Sequence, residues 1–96
     1  MKDRWRLCLV YDGCLYYSGC RFSLYNGEMQ IAGMYTARIP KAWVYAAERS
    51  HRFGFKKRGL ALVYLNERGE KQRLWLKFLS GKTNRQMIER IQNGAY

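Results

Sequence analysis

From Trp5 to Ile39 apolar and polar side chains change over with a period near two, the spacing of half-buried strands. "WRLCLVY" (residues 5–11) puts Trp5, Leu7, Leu9 and Tyr11 on one face. "DG" at 12–13 and "NG" at 26–27 read as two-residue hairpin turns, because Gly and Asn tolerate the positive φ such turns need. Between them "CLYYSGCRFSLY" predicts a strand bent or bulged at Ser18-Gly19. "EMQIA" and "MYTARI" lie on either side of Gly33, and Pro40 interrupts the ladder because it has no amide hydrogen to donate. "KAWVYAAE" fits a strand or a turn of helix; we read a short strand centred on Trp43–Tyr45. "LALVYL" (60–65) is apolar on both faces and should lie centrally. After the loop "NERGEK", "QRLWLKFL" (72–79) turns Leu74, Leu76 and Phe78 inward and Arg73, Trp75 and Lys77 outward.

The last segment changes period. In "TNRQMIERIQNG", Thr83 and Gln86 are spaced as a capping box, Met87, Ile88 and Ile91 form an apolar stripe, and Gly94 marks a C-terminal stop. A helix of about ten residues is marginal alone in water. Burying its three apolar side chains contributes roughly 5–9 kcal/mol before ordering costs, so it must dock on the sheet. The predicted fold is mainly β with one C-terminal α-helix, built as a single domain over residues 1–96.

The order of these elements resembles the pleckstrin-homology (PH-like) superfold, in its GRAM and bacterial PH-like branch. "GCLYYSGCRFSLY" is similar to the opening strand of that group, "G-x-L-Y-x-T-x-x-R-L-x-F". "RIPKAWV" resembles its "I-P-x-x-x-I" step, and "GLALVYLNERGEKQRLWLKFLSGKTNRQMIERI" its final hairpin and closing helix. The likeness covers residues 13–92. It implies a bent antiparallel barrel of about seven strands capped by the helix. Ser18-Gly19 stands where the family has a threonine. Phosphoinositide-binding members place Lys and Arg in and beside the first hairpin loop, whereas the base near the early turns here is Arg21. The resemblance therefore implies the scaffold, and a scaffold does not fix a function.

Charge narrows the partners. The net charge is +11, and it is uneven: residues 1–48 hold six Lys/Arg against four Asp/Glu, residues 49–96 twelve against three. Such asymmetry points to an anionic lipid surface, an acidic protein or a nucleic acid. Three cysteines, Cys8, Cys14 and Cys20, cannot all pair, which suggests a reducing compartment. The N-terminal apolar run "LCLV" is too short for a signal or a membrane span. The expected place is the cytoplasm, or the periphery of the inner membrane face.

Catalytic chemistry finds little support. His51, the one histidine, sits among Arg49, Arg52 and Lys56, a setting that suits contact surface better than general acid-base work. The C-x5-C-x5-C spacing does not suit structural zinc; Cys8 and Cys20 read as sheet residues and Cys14 as a turn-flanking one. No P-loop, dinucleotide fingerprint or nucleophile elbow is present, so neither enzyme activity, metal nor cofactor is expected. The candidate site is the basic loop "HRFGFKKRG" (51–59) and its flanks: Arg49, Arg52, Lys56, Lys57 and Arg58, with Phe53 and Phe55 between them. Arg73 and Lys77 would extend it from the last strand. At about 1 kcal/mol per base near an anionic membrane, five bases give a dissociation constant of a few tenths of a millimolar. The first expectation is thus a non-enzymatic binding module for acidic lipid headgroups or an acidic protein. The rivals are a small β-rich nucleic-acid binder using the same bases with Trp75, and a structural protein that forms homo-oligomers through edge strands.

Overall fold

The computed structural model describes residues 4–52 and 59–96. Eight antiparallel strands form one sheet: β1 (Arg4–Tyr11), β2 (Tyr16–Tyr17), β3 (Cys20–Tyr25), β4 (Glu28–Ala32), β5 (Ala37–Pro40), β6 (Val44–Ser50), β7 (Gly59–Leu65) and β8 (Lys71–Phe78). Their order is β5-β4-β3-β1-β8-β7-β6, with β2 paired to β1 off this path. The helix α1 (Gly81–Asn93) follows β8 and packs on β6, β7 and β8. The chain is therefore mainly β with one C-terminal helix, but the sheet does not close into a barrel. Pro40 ends β5, a 3-10 turn over Lys41–Trp43 leads into β6, and β6 pairs with β7 rather than back onto β5.

β3, β4 and β8 follow their alternation, while β1 departs from it in a way that matters later. Trp5, Leu7, Leu9 and Tyr11 do not share a face. A bulge between Leu7 and Leu9, where β1 meets β8, shifts the register by one residue. Leu7 and Val10 enter the core, while Leu9 and Tyr11 pair with the outward-facing Lys77 and Trp75. At "NG" the expected two-residue turn forms: Tyr25 faces Glu28, and Asn26 and Gly27 have φ of 55° and 76°. "DG" does not. There Tyr11 faces Tyr16 across a four-residue loop, because the Asp12 carboxylate accepts from the amides of Cys14 and Leu15 at 2.8 and 2.9 Å and folds the longer connection. The strand predicted from 14 to 25 is broken at Ser18-Gly19, as its sequence suggested. β6 begins after Trp43 and runs on to Ser50. β7 is apolar and buried on both faces, yet lies next to the edge rather than at the centre.

One core fills the concave side. Phe22, Leu24, Met29 and Ile31 from β3 and β4 meet Leu60, Leu62, Leu74, Leu76 and Phe78 from β7 and β8, with Met87 and Ile91 of α1 above them. Phe22 and Phe78 pack edge to face at 5.5 Å, joining the two halves of the sheet. The helix is capped by Ser80 rather than by Thr83: the Ser80 hydroxyl accepts from the Thr83 amide at 3.1 Å. Gly94 closes it in the left-handed conformation, φ 64°. Two side chains of α1 bind the sheet backbone. Asn84, fully buried, donates to the Gly59 carbonyl at 2.8 Å, and Gln92 donates to that of Ala47 at 2.8 Å.

Candidate functional site

Alternation along β8 turns Lys71, Arg73, Trp75 and Lys77 away from the core that Leu74, Leu76 and Phe78 fill. The bulge in β1 brings Tyr11 beside Trp75 on the same outer face, ring centroids 5.2 Å apart, and Tyr16 stacks on Tyr11 at 4.3 Å. Arg52, just past the end of β6, lies over this surface. Its guanidinium carbon is 4.4 Å from the Trp75 ring centre and 4.7 Å from that of Tyr11. Arg73 approaches Trp75 at 5.9 Å, and further along β8 the Lys71 ammonium sits 4.4 Å over Tyr45. Each such contact is worth about 0.5–1 kcal/mol at an exposed site. Rings hold these cations in place without cancelling their charge.

Of the predicted site residues, then, Arg52, Arg73 and Lys77 share one face with Trp75. Arg49 does not join them. It pairs with Leu60, an inward position, and its exposed side chain lines a groove of about 400 Å³ with Lys82 and Arg85 beside α1. Phe53, Phe55, Lys56, Lys57 and Arg58 lie outside the described residues.

Three further bases were not among the predicted site residues. Arg4 and Arg6 of β1 and Arg21 of β3 are exposed on the outer face of the other half of the sheet. The register sets Arg6 directly opposite Arg21, and Arg4 opposite Ser23. Arg4 and Arg21 border a shallow groove of about 750 Å³ that continues past Glu28 to Gln30 and Arg38. Alternation in "RWRL" and "CRFS" would have turned all three outward; their juxtaposition needed the strand register.

Acids are few on this surface. Among the described residues two ion pairs form, Arg38 with Glu28 at 3.0 Å and Arg68 with Glu70 at 3.9 Å. Glu28 also accepts from Gln30 at 2.7 Å, and these two contacts hold its carboxyl below the usual range. Asp12 is likewise held low, by the amides of Leu15 and Cys14. Both carboxylates are thus committed to local partners. His51 is exposed, Cys14 lies in the Asp12–Leu15 loop, Cys8 is half-buried and Cys20 buried; all three thiols are free. Among the described residues no three His, Cys, Asp or Glu side chains gather as metal ligands would. No described helix is long and apolar enough to cross a membrane. Set against protein-family models, curated proteins and solved structures, the chain matches none.

Proposed function

We propose that the protein is a non-enzymatic binding module of PH-like build whose outer sheet face takes an anionic partner. The observation that carries this reading is Arg52, laid over Trp75 and Tyr11 beside Arg73 and Lys77, with no carboxylate paired to any of the three among the described residues. The rings steady the guanidinium while leaving its charge and hydrogen-bond donors open to an anion. The antiparallel meander with a helix docked on its concave side supports the PH-like part of the proposal.

The test is elution from a heparin column in a salt gradient, comparing two double charge reversals that change net charge equally. Arg73→Glu with Lys77→Glu should elute at clearly lower salt than the wild type. Arg49→Glu with Arg85→Glu, on the helix side, should shift it much less. Equal shifts would mean that retention follows net charge alone, and the outer face would lose its role.

A further inference from the structure

We infer that the outer face takes single-stranded nucleic acid, its phosphates on Arg6, Arg21, Arg73 and Lys77 and a base against Arg52. This rests on the anion-binding reading above and names the partner.

The bulge in β1 decides which side chains of that strand join this face. Before it, the even-numbered Arg4 and Arg6 point outward; after it, the odd-numbered Leu9 and Tyr11 do. An unbroken strand would have sent one of these sets into the core. Leu7 faces the core with Cys20 of β3 and Phe78 of β8, so Arg6 and Arg21 lie on the same outer face as Lys77 and Trp75, and the bulge adds Tyr11 to it. Two strand spacings separate β3 from β8, roughly 10 Å, and Arg6 to Tyr11 spans roughly 15 Å along β1. The two clusters are too far apart for one phosphate. They suit a chain of regularly spaced anions several nucleotides long.

Arg6 opposite Arg21 is itself a reason to expect a phosphate there. Like charges directly across a strand pair destabilise a sheet. Glu28, which shares a groove with Arg21, already binds Arg38 and Gln30. An anion lodged between the two guanidiniums would remove their repulsion. At the other cluster Arg52 is exposed, and a guanidinium plane backed by rings is a platform on which unpaired bases stack. A duplex hides its base faces. A bilayer would meet these cations together only by lying across the whole outer face of the sheet, where the aromatic rings are already stacked on one another and under Arg52.

The experiment is fluorescence anisotropy with a labelled oligothymidylate of about 15 nucleotides, a duplex of the same length, and competing vesicles of phosphatidylserine in phosphatidylcholine. The single strand should bind most tightly, with a log–log salt slope of about −3 to −4 from four to six neutralised phosphates. Arg21→Glu should weaken binding roughly tenfold while raising the melting temperature, because the new carboxylate faces Arg6; the loss cannot then be unfolding. Arg52→Lys should lose nearly as much affinity as Arg52→Ala, since a lysine keeps the charge but not the plane. Tighter binding to duplex or vesicles, or an Arg52→Lys protein that behaves as wild type, would overturn the inference while leaving the anion-binding face intact. Failure to bind any of the three, together with no retention on heparin, would overturn both.

Discussion

Gly33 shows how one residue can hold two connections together. Its φ is +127°, a conformation side chains rarely adopt, and a Cβ placed there would strike the Gly19 carbonyl oxygen and crowd the Cα of Cys20. Both obstacles are backbone, so neither can swing aside. Gly33→Ala should cost about 3 kcal/mol or more in urea unfolding, whereas Gly27→Ala, with φ +76° and open space for the methyl group, should cost only about 1. Similar losses at the two positions would mean that the close approach of Gly33 to Gly19 is not rigid. Nearby, Tyr35 packs on Tyr17 with ring centroids 5.0 Å apart. Burial, reinforced by the neighbouring Tyr64, pushes its hydroxyl up to about 12 from 10.0. Raised in the fold, this group contributes stability that is fully present below pH 10.0 and is lost as pH rises towards about 12. Tyr35 is only half-buried, so the loss is well below what a fully desolvated group would give. Unfolding curves between those limits should fall less steeply with pH for Tyr35→Phe than for the wild type.

At the scale of elements, the helix start separates what pattern can reveal from what only packing decides. "SGKT" offers two capping residues three positions apart, and sequence rules favour Thr83 for its partner Gln86. The last inward side chain of β8 is Phe78, so the chain leaves the sheet there and the earlier hydroxyl, Ser80, reaches the cap position first. Ser80→Ala should therefore cost about 1 kcal/mol and Thr83→Ala distinctly less, measured by thermal melts of the two variants. The reverse ranking would restore the capping box. Strand identities, the inward set of β8, the "NG" turn and the Gly94 stop were all legible, because each is written in local alternation or in a residue of special φ. The β1 bulge was not. "LCLV" is apolar throughout, so a shift of one residue leaves its pattern unchanged. The same blindness hid part of the candidate face, since the pattern put Tyr11 on the face of Leu7, and Arg6 could not be matched with Arg21 without the register. Arg52 was found by charge alone; its seat on Trp75 and Tyr11 joins positions that only the β6–β7, β7–β8 and β1–β8 pairings bring near.

For the whole molecule the open sheet leaves two edges, and they are defended differently. β5 is four residues long, carries Arg38 and ends in Pro40, three features that make a poor template for another strand. β6 is longer, seven residues, but α1 lies against it and Gln92 already occupies the Ala47 carbonyl. Net charge adds a second barrier: at +11, two copies approaching edge to edge repel over roughly a Debye length, about 8 Å at physiological salt. Sedimentation velocity in such a buffer should give the 11.4 kDa monomer across the accessible concentration range. Screening the charge should change little, because the shortness of β5 and the helix over β6 do not depend on salt. A dimer that appears only at high salt would show that repulsion alone keeps the edges apart. If that dimer were then abolished by a proline placed within β6 but not within β5, the longer edge would be the surface at which two copies meet.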